Sequence, residues 1–163
     1  MKRIILVFTM LLVLHTAGNA QDVKLYNPQA DAAKDIKLAV AKAAAEGKHV
    51  LLQIGGNWCV WCLRFNQLVN SNDTLKTAQN TGFVVVHVNY SKENENKAVL
   101  ASLGYPQRFG FPVFVVLDGK GNRLHTQNSA YLESGKGHDP KKVLEFFNNW
   151  SPAALDPKSY LKN

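Results

Sequence analysis

The sequence predicts an α/β domain with a central mixed β-sheet, helices on both faces and an additional N-terminal helix. Three observations carry this. Segments of helical spacing alternate with short β-branched runs, the order that parallel crossover connections require. Phe83 to Val88 is apolar on both faces, the pattern of a strand in the middle of a covered sheet. Asp118-Gly119-Lys120-Gly121-Asn122 separates two short runs as a hairpin turn does, which adds an antiparallel edge.

The elements follow in order. Asp31 to Glu46 is the N-terminal helix: Ala32, Ile36, Ala39, Val40 and Ala43 recur at helical spacing, Asp31 can cap its start and Gly47 can end it. Val50 to Ile54 is a strand that stops at Gly55-Gly56. A helix begins near Cys59 and runs through Leu63, Phe65 and Leu68 to about Val69, and Ser71 or Asn72 caps a short helix over Thr74 to Gln79. After the Phe83 to Val88 strand, Lys92 to Leu103 reads as helix, Val113 to Leu117 as strand and Arg123 to Thr126 as its hairpin partner. A loop carries the chain to Asp139. Pro140 then opens a last helix whose core face holds Val143, Leu144, Phe146, Phe147 and Trp150. The tail from Ser151 is expected over the surface, as are His125 and His138.

With 163 residues, 46% of them apolar, the chain suits one domain built on one core. A charged fraction of 19% with dense apolar runs excludes a disordered chain, and two cysteines exclude a disulfide-stapled miniprotein. Residues 1–20 have the three parts of a secretory signal: basic Lys2 and Arg3, an apolar run from Ile4 to Leu14 broken only by Thr9, and small Gly18 and Ala20 before a cut at Gln21. That run is short of the roughly 20 residues needed to span a bilayer. The expectation is an exported protein, periplasmic or secreted, with its domain over residues 21–163. Removing Lys2 and Arg3 lowers the formal net charge from +7 to +5. The lysines are scattered, with only Lys141 and Lys142 adjacent, so the charge points to solubility and not to nucleic acid.

Both cysteines lie in Trp58-Cys59-Val60-Trp61-Cys62. Two residues between them, at a helix start, bring the sulfurs to one face within disulfide reach. The first sulfur also meets free backbone N–H groups and the positive end of the helix dipole, which favour a thiolate; such motifs bring the first cysteine's pKa to roughly 3.5–7.5. A purely structural disulfide is a weaker reading, because so short a loop removes little chain entropy. Zinc would need further ligands, and His49, His87, His125 and His138 show no paired spacing. Covalent haem needs His directly after the second cysteine, where Leu63 stands, and is excluded. Trp58 and Trp61 flank the dithiol and could form an apolar rim for flexible substrates, although ordinary packing accounts for Trp58 equally well.

From about Ala43 to Trp150 the chain resembles the thioredoxin superfamily. The resemblance rests on Gly47 to Cys62, Gly-Lys-His-Val-Leu-Leu-Gln-Ile-Gly-Gly-Asn-Trp-Cys-Val-Trp-Cys, and on Gly110-Phe111-Pro112-Val113 before a strand. The alanine-rich helix leading into Glu46-Gly47-Lys48 looks like the exported thioredoxin-like subgroup, which includes the periplasmic C-terminal domain of the transmembrane disulfide reductase. The resemblance implies a thioredoxin fold and a protein thiol–disulfide oxidoreductase. It also implies a cis Pro112 opposite the dithiol, with Phe111 offering backbone hydrogen bonds to an extended substrate. Cys59 would be the nucleophile and Cys62 the resolving thiol. No cofactor is needed, since the electrons reside on the sulfurs. The implied partners are proteins bearing thiols or disulfides and a membrane-bound redox partner that keeps the pair reduced.

Two positions depart from the family. Thioredoxins carry a buried Asp where this chain has Gln53, which cannot titrate, and His87 fills the place of a family Lys. His87, or a water held by Gln53, is therefore the candidate proton relay for Cys62. Val60-Trp61 is neutral and bulky and gives no ionic reason for an extremely acidic Cys59, which disfavours a strong oxidase and favours a reductase or isomerase. The alternative is a thioredoxin-fold binding or chaperone module whose redox activity is incidental.

Overall fold

The computed structural model describes residues 24–161. The predicted leader over 1–20 lies outside them. Helix α1 (Ala32–Glu46) is followed by β1 (His49–Gly55), α2 (Val60–Ser71), α3 (Asp73–Gly82), β2 (Phe83–Asn89), α4 (Lys97–Ser102), β3 (Val113–Leu117), β4 (Arg123–Asn128), a small hairpin of β5 (Glu133–Ser134) and β6 (Gly137–His138), and α5 (Pro140–Asn149). The main sheet is mixed, in the order β2-β1-β3-β4, with β1 parallel to β2 and antiparallel to β3. Among the described residues no helix is long and apolar enough to cross a membrane.

Period-two alternation along the strands divides the core into two layers. Val50, Leu52 and Ile54 of β1 and Val113, Val115 and Leu117 of β3 face α1 through Ala39 and Ala43. Leu51, Phe114 and Val116 face the other way, onto Phe65 and Val69 of α2 and Val143, Phe146 and Phe147 of α5. The caps explain where the helices start. Asp31 accepts from Lys34 N–H, Asn72 from Leu75 N–H and Asp139 from Lys141 N–H, so the first-turn amides of α1, α3 and α5 each have a side-chain oxygen.

Three expectations are corrected, and the tail gains secondary structure. Strand β2 is an edge strand, and the central strands are β1 and β3. Its apolar character on both faces is real, because helices cover both sides of the sheet there, but two covered faces do not require two neighbouring strands. The predicted helix Lys92–Leu103 shortens to Lys97–Ser102. Asparagine side chains hold the preceding backbone in a loop instead: Asn89 donates to Asn94 O at 2.9 Å, Asn96 donates to Asn89 O at 2.7 Å, and Asn96 is left-handed at φ 50°. The tail folds into α6 (Pro152–Leu155) and a 3₁₀ turn over Pro157–Tyr160, both on the surface as expected. Finally, His138 is buried.

His138 sits edge-on to the rings of Trp61 and Phe65, at 5.6 and 5.2 Å, and neither ring nitrogen has a hydrogen-bond partner among the described residues. Burial lowers its pKa from 6.5 to about 4. Between those values the unfolded chain takes up a proton that the folded chain refuses, so this residue makes stability fall as pH drops through the window. Replacing His138→Phe keeps the edge contacts and deletes the unpartnered nitrogens. It is expected to raise stability by about 1 kcal/mol and to shallow the slope of stability between pH 4 and 6.5. Urea denaturation across that range checks both.

Candidate active site

Strand β1 ends at Gly55, and the chain turns through Gly56, Asn57 and Trp58 into α2. Cys59 is the N-cap of that helix, extended at φ −89° and ψ 99°, and its sulfur accepts the Cys62 N–H at 3.1 Å. Cys59 N–H in turn donates to Gly56 O at 3.0 Å, which fixes the turn. Cys59 and Cys62 are joined as a disulfide with their Cα atoms 5.2 Å apart. Both are buried, at 5% and 1% exposure, and the first turn of α2 carries no acidic residue to oppose the dipole at the sulfur.

Two glycines make room for this arrangement. A Cβ at Gly55 would collide with Cys62 Sγ, and one at Gly56 would collide with Trp58 Nε1 and lie 2.8 Å from Tyr90 O. Pairing of Ile54 with Val113 brings Pro112 alongside Gly55, and the Phe111–Pro112 peptide is cis. Phe111 packs against the cysteine cluster, stacks on Tyr90 at 4.8 Å and meets Trp58 edge-on at 5.5 Å. Trp58 is 57% exposed and donates through Nε1 to Tyr90 O at 2.7 Å, so it stands as a fixed apolar wall beside the sulfurs. Trp61 turns the other way, half-buried against His138 and under the Arg64 guanidinium at 5.5 Å. The two tryptophans therefore occupy different sides of the motif.

Gln53 is buried and lies in register between His87 of β2 and Phe114 of β3, on the α2 face of the sheet. His87 Nε2 is buried with no hydrogen-bond partner among the described residues, and desolvation lowers its pKa to about 4. Its ring meets the edge of Tyr26 at 5.4 Å. Tyr26 had no sequence signal, since the segment before α1 has no periodicity. It is nonetheless fully buried and packs on both cysteines. A reciprocal pair of hydrogen bonds ties it to the active-site turn: Tyr26 N–H donates to Asn57 Oδ1 at 3.0 Å and Asn57 Nδ2 donates to Tyr26 O at 2.6 Å. Among the described residues no cluster of histidine, cysteine or carboxylate side chains could hold a metal ion.

The chain is similar to a disulphide isomerase from Xylella fastidiosa Temecula1, with 25% identity and a TM-score of 0.69 over 77% of this chain and 95% of that one. It shares its fold with the C-terminal domain of Neisseria meningitidis DsbD in the oxidised form, at 19% identity and a TM-score of 0.52, over 72% of this chain and 95% of that one. No curated protein sequence matches it. The thioredoxin-like family model matches residues 31–119, more than half of the chain, from the cap of α1 through the dithiol and cis proline to the β3 hairpin. The chain belongs to the thioredoxin-like family and carries a disulfide-bonded cysteine pair of CxxC spacing.

Proposed function

We propose that this protein is an exported thiol–disulfide oxidoreductase acting on protein disulfides, as a reductase or isomerase in preference to an oxidase. The observation that carries the reading is the Cys59 sulfur at the N-cap of α2, holding the Cys62 N–H, with its partner sulfur one turn on. On reduction the same N–H and the helix dipole face a thiolate, the species that attacks a disulfide. Cys59 thiolate attacks one sulfur of the substrate disulfide, and the other leaves as a thiolate that takes up a proton. Cys62, deprotonated, then attacks Cys59, displaces the second substrate sulfur and closes the 59–62 bond. Two electrons pass from the dithiol to the substrate, and the second step is effectively intramolecular. The Phe111–Pro112 loop beside the sulfurs, and the exposed face of Trp58, are suited to hold an extended segment.

The secretory pattern over residues 1–20 supports export, and similarity to a disulphide isomerase supports the direction. An oxidising compartment would drain the dithiol, so a membrane-bound partner is proposed to resupply two electrons per turnover. Exposed Trp58, Val60, Tyr105 and Phe109 favour a second reading, a client-binding module with incidental redox activity. Insulin reduction separates the two. Wild type is expected to turn over and Cys59→Ser to lose at least two orders of magnitude of rate; client binding without turnover in the wild type supports the module instead.

Titration of the pair against glutathione is expected to give a potential nearer about −270 mV than about −120 mV, and a value at the oxidising end removes the reductase reading. If the Cys62 proton is relayed by His87, and not by a water held by Gln53, the lowered pKa of His87 predicts an ionisation at about 4 in the resolving step. Replacing His87→Gln is expected to abolish it. An unchanged pH–rate profile removes His87 from the reaction.

A further inference from the structure

Cys62 is 1% exposed, and burial disfavours the thiolate it must become to resolve a mixed disulfide. A buried donor aimed at that sulfur would offset the cost. The family's carboxylate position holds Gln53, and His87 meets the site through the edge of Tyr26. Tyr26 reaches the sulfur's surroundings with a polar atom. Gly55 serves as the marker of its approach. A Cβ built there would collide with Cys62 Sγ while lying 3.4 Å from Cys62 Cβ and 3.1 Å from the Tyr26 hydroxyl oxygen. Phenol and sulfur converge over Gly55, which has no side chain to part them.

That placement is built, not incidental. Both backbone polar groups of Tyr26 are engaged by the Asn57 side chain, two residues before Cys59, so ring and cysteine turn are held as one unit. Burying a tyrosine hydroxyl is costly unless it finds a partner, and a Phe would fill the same volume without that cost. We propose that the Tyr26 hydroxyl donates a hydrogen bond to the Cys62 thiolate and is a further catalytic residue of the resolving step. This rests on the oxidoreductase reading above and deepens it.

The Cys62 proton leaves for solvent by the relay proposed above, the phenol keeps its own and supplies only a dipole, and the sulfur–sulfur exchange proceeds as described. Burial raises the Tyr26 pKa, so the phenol stays protonated wherever thiols exchange and can act as a donor but not as a base. Among the described residues, the titratable groups facing it are few. They are the two cysteines on α2 and His87 on β2, neutral above about 4. Strand β1 offers Gln53 and Gly55, and the cis-proline loop offers Phe111 and Pro112, none of which titrates. Lys24, two residues before Tyr26, is exposed.

An aromatic disulfide whose thiol product absorbs visible light reads the two steps separately. Mixed with reduced full-length protein, it releases one thiol as Cys59 attacks and a second as Cys62 resolves. Tyr26→Phe is expected to slow the second phase about tenfold at pH 7 and to raise its pH midpoint by about one unit. The first phase serves as the internal reference. A second phase with unchanged rate and midpoint overturns the proposal, as does a slowing of both phases together without a shift in midpoint, which would mark a packing role. If the wild type shows no first phase, the oxidoreductase reading itself fails. Should Tyr26→Phe not fold, a fluorinated tyrosine placed site-specifically at 26 is a stronger donor of nearly equal size and must lower the midpoint; no change overturns the proposal.

Discussion

A helix N-terminus needs an acceptor for its first free amides, and at α2 that acceptor is sulfur. Every other long helix of this fold solves the problem with oxygen, from Asp31, Asn72 or Asp139. Only α2 uses a cysteine, at 3.1 Å from the Cys62 N–H. Sulfur in a disulfide or a neutral thiol is a weak acceptor, while a thiolate carries a full charge into the same position. The helix is therefore capped best when Cys59 is ionised. On the proposed function, fold and reactivity share one hydrogen bond: whatever positions the first turn of α2 also sets how readily its cap gives or takes a sulfur bond.

The surrounding residues serve to keep that cap in place and uncrowded. Gly55 and Gly56 leave space for Cys62 and for the Trp58 indole, whose N–H closes onto Tyr90 O. Tyr90 also donates its backbone N–H to Gly55 O and stacks under Phe111, so the end of β2, the end of β1 and the cis-proline loop meet at one residue. Asn57 performs the equivalent task on the N-terminal side by gripping Tyr26. The turn is thus restrained from both flanks by hydrogen bonds, without any ion pair at the sulfurs. The ion pairs among the described residues, Glu46 with Lys42 and Lys48 and Glu95 with Lys97, lie elsewhere on the surface.

The cis Phe-Pro loop was implied by the resemblance to the thioredoxin superfamily, whereas the dithiol and its helix were legible because each depends on local chemistry, spacing and a cap position. The same holds for α1, where Asp31 and Gly47 stand at the ends they were predicted to mark. What was not legible depends on the third dimension. Phe83 to Val88 reports that two faces are covered but carries no record of which strands lie beside it. The Lys92–Asn96 stretch has helical composition, yet side-chain amides outcompete the helix for its backbone. His138 looks like a loop residue because its burial comes from Trp61 and Phe65, more than seventy positions earlier in the chain. Tyr26 was invisible for a related reason: nothing in its own neighbourhood hints that Asn57 will hold it against the cysteines.

The buried polar groups around the cysteines share a property that bears on the chemistry. Where thioredoxins place a titrating carboxylate behind the second cysteine, this site sets groups that do not change charge near neutrality. Gln53 has no ionisation, burial holds His87 and His138 neutral down to about 4, and it pushes the Tyr26 phenol upward. What remains near the sulfurs is a set of dipoles: the α2 amides, the phenol and a side-chain amide. Dipoles fixed by packing stabilise a thiolate without adding an ionisation of their own to the pH profile. On the proposed mechanism, the pH dependence of exchange around neutrality therefore belongs to the two sulfurs alone. Its midpoints measure directly how well the cap holds Cys59 and how well the buried wall behind it holds Cys62.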